Sequence, residues 1–380
     1  MLLTLPPLSL YIHVPWCVRK CPYCDFNSHA LTDENIPEEE YINSLLADFQ
    51  EELGKIQGRE LVSIFIGGGT PSLLSSKCYQ RLLKEIKEYI NFSCDIEITL
   101  EVNPGACEHD RFQGYFEAGI NRFSLGVQSF QNEKLKAIGR IHSAEEAIMA
   151  VTSLSDLGFS NVNIDLMHGL PGQTKDDALY DLKTAIDLSP AHISWYQLTI
   201  EPNTFFYSNR PVLPVDDTLW SIQAAGQALL AECDYQQYEI SAYSQPGRQS
   251  RHNLNYWKFG DYIGIGAGAH GKWSCKDSGE IYRNWKTRMP KDYLSPRKPF
   301  QAGQRLLSLE ERPLEFMMNV LRLHQGVSPE LYVERTGLPL VTLDATWSLS
   351  RKKGLMVSER RLAPSAQGRL FLNDLLALFA

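Results

Sequence analysis

Short runs rich in Ile, Val, Phe and Tyr alternate along the first half of the chain with longer stretches of recurring apolar residues. The runs cover residues 10–14, 62–66, 96–102, 122–127, 162–167 and 193–199. Polar or glycine-rich residues follow them, as they follow strands. Between most of them the pattern is helical. Residues 37–56 repeat Tyr41, Leu45, Phe49 and Leu53 at a spacing of four, and 79–90, 144–157 and 176–188 behave alike. Strand and helix in alternation predict parallel β/α units, because parallel neighbours need a crossover. Six units predict an α/β fold built on a partial barrel rather than a closed eight-stranded one.

A proline-bounded stretch, 211–214, marks the end of this core, assigned to residues 1–210. Residues 218–233 predict a helix and 238–243 a strand, and 247–285 are rich in glycine and aromatic residues. Residues 286–300 (KTRMPKDYLSPRKPF) read as a basic, proline-containing linker that closes an extension over 211–300. From 301 to 380 the pattern is helical, over 314–323, 329–335, 340–353 and 368–379, with a hairpin wing over 355–362. That is a mainly helical, winged-helix-like module. It carries 10 Lys/Arg against 8 Asp/Glu. So small an excess argues for a lid or docking role over DNA binding.

Composition narrows the classes. The 380 residues are 43% hydrophobic and 22% charged, with net charge −8. A sizeable core can form, and the acidic balance argues against a nucleic-acid partner. There is no apolar run of about 18 residues to span a membrane. The opening residues, MLLTLPPLSLYIHVPWC, lack a basic n-region and do not read as a signal peptide. Eight cysteines are no disulfide framework for a chain this long, since Cys17, Cys21 and Cys24 crowd together while Cys78, Cys94, Cys107, Cys233 and Cys275 are scattered. A reducing cytoplasm is the expectation.

The polar motifs fall where barrel enzymes build their sites, at the C-terminal ends of strands. GGGTPS follows the second run, EVNPG ends the third, GVQS follows the fourth, and Asp165 lies near the end of the fifth. Cys17, Cys21 and Cys24 place three soft ligands on one loop in a C-x3-C-x2-C spacing. Thiolates suit an iron–sulfur cluster or zinc, but structural zinc would want a fourth ligand. Three ligands on a four-iron cluster leave one iron open. Cys21-Pro-Tyr-Cys24 alone looks like a redox pair; Cys17 and the β/α series argue against that. Asp25 after Cys24 excludes a c-type haem site. His13 reads as a packed strand-end residue. Gly67-Gly68-Gly69-Thr70 is no phosphate loop, since no Gly-Lys-Ser/Thr follows.

The cysteine loop, with an aromatic residue before its last cysteine, resembles the signature of radical S-adenosylmethionine (SAM) enzymes. The surrounding YIHVPWC…CPYCDF resembles the branch that holds oxygen-independent coproporphyrinogen III dehydrogenases and haem chaperones of the HemW type. The resemblance implies a radical SAM barrel whose [4Fe–4S] cluster is held by Cys17, Cys21 and Cys24. SAM would chelate the unique iron, and an electron from the cluster can cleave it to methionine and a 5′-deoxyadenosyl radical. Matching positions imply SAM contacts at Gly68, Gly69 and Thr70, a ribose-binding carboxylate at Glu101, and further contacts at Gln128, Arg140 and Asp165. Tyr11 and Tyr23 match aromatic positions beside the cluster. One or two SAM molecules fit this reading.

Two features separate the branches. Family dehydrogenases carry a further cysteine where this chain has Phe26, and a longer extension than the 16 residues before Cys17. His252-Asn253-Leu-Asn-Tyr256-Trp257 resembles the His-Asn-x-x-Tyr-Trp pattern of the haem chaperones. It implies haem binding with His252 as the associated residue, and His270 as a rival ligand. The implied partners are haem, an electron donor and a haemoprotein acceptor such as a respiratory enzyme at the inner membrane face; a homodimer also fits. Oxidative decarboxylation of coproporphyrinogen propionates stands as the enzymatic alternative.

Overall fold

The computed structural model describes residues 4–31, 36–106, 109–358 and 360–380; Cys107 lies outside them. Strands β1 (Leu8–Val14), β2 (Leu61–Gly68), β3 (Phe92–Val102), β4 (Arg122–Gln128), β5 (Val162–His168) and β6 (His192–Gln197) lie side by side in chain order, each neighbouring pair parallel. Their side chains are buried almost without interruption, as in Leu8, Leu10, Ile12 and Val14 of β1. Strands covered on both faces lose the polar alternation of a one-sided sheet.

Helices α1 (Glu38–Glu52), α2 (Ser76–Tyr89), α3 (His109–Glu117), α4 (Ala144–Asp156) and α5 (Lys175–Asp187) make the crossovers. Ser143 with Glu146, and Thr174 with Asp177, form reciprocal capping boxes that start α4 and α5. Helix α3 was not anticipated. Gly114 sits in its middle, where glycine is a poor helix former. A Cβ there would stand 2.6 Å from Ser76 Oγ at the start of α2, so the glycine serves close packing.

Beyond α6 (Asp216–Glu232), the strand expected over 238–243 is reduced to Gln236–Gln237 and β7 (Ala242–Ser244), antiparallel to β6. Helix α7 (Arg251–Trp257) then leads into β8 (Asp261–Ile265), which pairs parallel with β1 on its free edge. The chain thus carries a seventh parallel strand that the periodicity did not suggest. Strands β9 (His270–Ser274), β10 (Ile281–Lys286) and β11 (Gln301–Leu306) continue that edge antiparallel. The sheet ends at β11 on one side and Gln236–Gln237 on the other, so among the described residues the barrel is open.

Residues 286–300 are no free linker. Lys286 Nζ pairs with Asp48 and, at 2.8 Å, with Glu52, both on α1, and Tyr293 donates to Asp48 Oδ2 at 2.6 Å. Basic residues and prolines suggested a linker, but the lysine's partners lie more than 230 positions away in sequence. Residues 301–306 form β11 and not a helix, because they extend the β10 ladder. Helices α8 (Arg312–Val320), α9 (Pro329–Thr336) and α10 (Asp344–Lys352) follow. A wing is tied by bridges from Val327 to Leu362 and from Met356 to Pro364. The single final helix expected over 368–379 is two short ones, Ala366–Leu370 and Leu372–Leu376. The core of this module takes in Tyr238, Phe259 and Ile281 from before residue 300.

Candidate active site at the C-terminal mouth of the barrel

The cysteine loop leaves β1 and is closed at its base. Trp16–Cys17 pair with His29–Ala30, and His29 N donates to Pro15 O at 2.7 Å. Inside it, Cys24 N donates to Cys21 O at 3.1 Å, a tight turn that brings Cys21 and Cys24 to one side. Asn27 clamps the loop to the far edge of the sheet, donating to Ala267 O at 2.9 Å and Arg288 O at 2.8 Å. Among the described residues none of the three thiols is in a disulfide.

All three thiols line a cavity of about 280 Å³ at the strand ends. Tyr23, Gly68, Gly69, Thr70, Glu101, Gln128, Arg140 and Asp165 line it as well. Sequence order along six strands thus becomes adjacency around one opening. Tyr11 stands one layer away. Its ring stacks on Phe65, its hydroxyl meets His13 Nδ1 at 2.7 Å, and it lines a neighbouring groove. His252 lines neither space. It sits on α7 in the barrel interior, 4.1 Å from the Phe65 ring, with Nδ1 2.8 Å from Ser250 Oγ and 3.4 Å from Glu97.

The glycines hold the cavity's shape. A Cβ on Gly68, where φ is +117°, would stand 2.6 Å from the His13 ring, and one on Gly69 would collide with the Trp16 carbonyl. Their missing side chains admit the base of the cysteine loop. Gly69 N donates to Val14 O and Thr70 N to Trp16 O, each at 2.7 Å. Gln128 also has a left-handed backbone, φ +71°, at an irregularity in the β4–β5 pairing. Such strain persists only where the surroundings fix it; here Tyr196 donates to Gln128 Oε1 at 2.7 Å.

Charge is arranged unevenly around the cavity. Burial pushes the Glu101 carboxyl up to about 8, with Asp165 adding to the shift and the Gly68 N–H, at 3.0 Å, opposing it. Burial raises Asp165 too, although Asn163 and Ser124 donate to it at 2.8 and 3.0 Å. Across from them, burial works against the charge of Arg140, but Tyr23 and Cys21 more than offset it. Arg140 donates to Gly126 O at 2.6 Å and to Cys21 Sγ at 3.7 Å, while its buried Nε has no partner among the described residues. Burial raises the Cys17 thiol, and Cys21 and Cys24 add to that against a hydrogen bond from Thr70. Three thiolates therefore repel one another here unless positive charge stands between them.

Behind the cavity a buried polar chain fills the barrel. Asn163 links Asp165 to His192 Nδ1 at 2.6 Å, His192 Nε2 meets Tyr238 OH at 2.9 Å, and Asn253 donates to that hydroxyl at 3.3 Å. Asn103, Ser124, Gly126 and Tyr196 also line the cavity and were not singled out in the sequence. Asn103 sits inside EVNPG and Gly126 inside GVQS, while Ser124 and Tyr196 lie on β4 and β6, where their position on the strands was the available signal.

The radical SAM superfamily pattern matches residues 11–185, and the HemN C-terminal domain matches 307–371. The chain is 51% identical to "Heme chaperone HemW" of Escherichia coli K12, over 99% of this chain and 98% of that one. It is 52% identical to the Haemophilus influenzae protein of the same name, over 99% and 98%, and 33% identical to that of Bacillus subtilis, over 98% of each. In fold it is similar to coproporphyrinogen III oxidase (HemN) of Escherichia coli, with TM-score 0.82, 23% identity, and coverage of 99% and 90%. With the cysteine loop at the barrel mouth and this identity along nearly the whole length, the chain belongs to the HemW haem chaperone family of the radical SAM superfamily.

Proposed function

We propose that this protein binds haem and delivers it to a haemoprotein acceptor, using a [4Fe–4S] cluster on Cys17, Cys21 and Cys24 and SAM in the adjoining cavity. The observation that carries the reading is the convergence of three unpaired thiols on one cavity with Glu101, Gln128, Arg140 and Asp165 around it. The donor set fits the group. Among the described residues no three His, Cys, Asp or Glu side chains gather closely enough to hold a single ion, whereas thiols spread around a cavity suit a multinuclear cluster. The positive charge of iron would relieve the mutual repulsion of the thiolates.

When bound, the cluster supplies one-electron chemistry to SAM. The chain's own residues bind and orient. Arg140 neutralises charge beside Cys21, Glu101 accepts hydrogen bonds from a ribose diol, and Gly68, Gly69 and Thr70 present backbone at close range. Tyr23 shields the cysteine side from water.

Phe26 stands where the dehydrogenases carry a cysteine, and favours the chaperone over decarboxylation. No helix among the described residues is long and apolar enough to cross a membrane. We place the protein in the cytoplasm, meeting a respiratory haemoprotein at the inner membrane face. The test is anaerobic: reconstituted protein, SAM and reductant are given haem and an apo-acceptor in one arm and coproporphyrinogen III in the other. Stoichiometric haem binding followed by transfer is expected. Robust protoporphyrinogen formation would overturn the reading.

A further inference from the structure

A second and larger space adjoins the cysteine cavity. It is a groove of about 970 Å³ between the cysteine loop, the end of α7 and the β8–β11 edge of the sheet. That volume is at the upper end of the roughly 300–1,000 Å³ common for small-molecule sites. Tyr11, Phe26, Tyr256, Trp257, Tyr262 and Trp285 line it, so its walls are largely aromatic. Phe26, 60% exposed, lines the cysteine cavity as well and is the partition between the two spaces. A flat macrocycle of about this size is an aromatic-faced ligand that such walls accommodate.

Three histidines stand in or beside the groove, and the structure distinguishes them. His13 is buried with both ring nitrogens engaged, Nδ1 with Tyr11 and Nε2 with Asn27 O at 2.9 Å. His252 is buried below the groove, with Nδ1 taken by Ser250 and Glu97. Glu97 is itself held down to about 2, against its burial, by His252 and Arg122. His270, at the start of β9, is exposed on the groove wall, and among the described residues its ring makes no hydrogen bond. Partial desolvation against the groove wall, with the charges of Arg288 and Arg283, lowers its proton affinity and favours the neutral imidazole.

Charge in the groove is mixed, with the carboxylate of Asp25 on its wall beside the guanidinium groups of Arg288 and Arg305. Arg288 is exposed in it and, among the described residues, forms no ion pair, whereas Arg305 is shared between Glu311 and Glu315 at 2.8 and 2.9 Å. Helix α7 ties the parts together. His252 and Asn253 anchor one end in the barrel's polar chain, and Tyr256 and Trp257 reach the groove from the other.

We infer that haem is held in this aromatic groove, with His270 as an axial iron ligand, Arg288 paired to a propionate, and His252 acting as a positioning residue that fixes α7 and its aromatic pair. The inference rests on the haem-binding reading above and adds the location and the ligand. Haem titration of the reconstituted full chain tests it, followed by absorbance and electron paramagnetic resonance. Failure of the unsubstituted protein to bind haem would sink the chaperone reading itself. If it binds, His270→Ala should weaken affinity by about tenfold or more, and His270→Cys should replace the imidazole signature of the ferric haem with a thiolate one. His252→Ala should lower affinity yet keep the imidazole signature. Arg288→Glu should weaken binding of haem but not of haem dimethyl ester. A His270→Cys spectrum identical to the unsubstituted one, or a signature lost in His252→Ala and kept in His270→Ala, would overturn the assignment. Equal loss for haem and its diester in Arg288→Glu would overturn the propionate contact.

Discussion

The cysteine cavity and the aromatic groove share Phe26 as a wall but are built on different principles. The cavity is small, and polar and sulfur groups ring it: three thiols, two carboxylates, a guanidinium and a strand-end glycine run. Its parts come from successive parallel strands, each delivering one motif to the same end of the sheet. The groove is more than three times larger and faced with rings. Its parts come from the cysteine loop, α7 and an antiparallel edge that only long-range pairing assembles. The first suits reactive chemistry that needs fixed charges. The second suits a large flat ligand that must enter and leave. The two sit on opposite sides of one phenylalanine.

The two regions should separate under substitution. Replacing Cys17, Cys21 and Cys24 with Ala should remove essentially all iron and labile sulfide, and SAM binding with them. Haem affinity should fall far less. Equal loss of both ligands would show one site and not two.

Asp48→Ala cuts the opposite way. It leaves Lys286 with less of its buried countercharge and takes a partner from Tyr293, loosening the segment that carries Trp285 and Arg288. Removing one partner of a buried ion pair costs about 3–5 kcal/mol. Denaturant titration should show that loss, and haem binding should suffer more than cluster content. A shift under 1 kcal/mol would mean that the segment is held by packing alone.

Gly69→Ala should act on the cavity side. The added methyl meets the Trp16 carbonyl at the base of the cysteine loop, and overpacking of this kind costs about 1–3 kcal/mol. Reconstituted iron content should drop while haem titration stays near normal.

The smallest effect is a proton. With its carboxyl raised to about 8, Glu101 is mostly protonated at pH 7 before SAM enters. Hydrogen bonds from a diol and a nearby sulfonium favour the charged form. SAM binding at pH 7 should therefore release up to one proton, and affinity should rise as pH approaches 8. The same raised value means that folding stability falls as pH climbs from the ordinary carboxylate range to about 8. Calorimetry in two buffers of different ionisation heat should find the released proton, and find none in Glu101→Gln.

The parallel core was readable because its signal is local. All six strands fell where runs of β-branched and aromatic residues ended in polar motifs, and α4 and α5 began at their capping boxes. Cys17, Cys21 and Cys24 share one short loop, so their meeting needed no knowledge of the fold. Gly68, Glu101, Gln128 and Asp165 could be grouped because strand order puts their motifs at one end, whereas Arg140, in a loop between two helices, was implied only by the family resemblance. Helix α3 was hidden by Gly114, which answers to Ser76 on another helix and not to helix propensity. Strand β8 was hidden because a parallel partner 250 residues earlier leaves no mark in its own five residues.

What the sequence determined by itself was the β/α core, the cysteine loop and the set of motifs at the mouth, since each depends on neighbours within a few residues or on strand order. Tertiary structure decided the rest. It turned an apparent linker into the groove's wall through Lys286 and Tyr293, sent His252 into the barrel, and left His270 exposed beside Arg288. Burial and long-range pairing decide which of several histidines is free to bind anything, and neither quantity is a property of a residue and its chain neighbours.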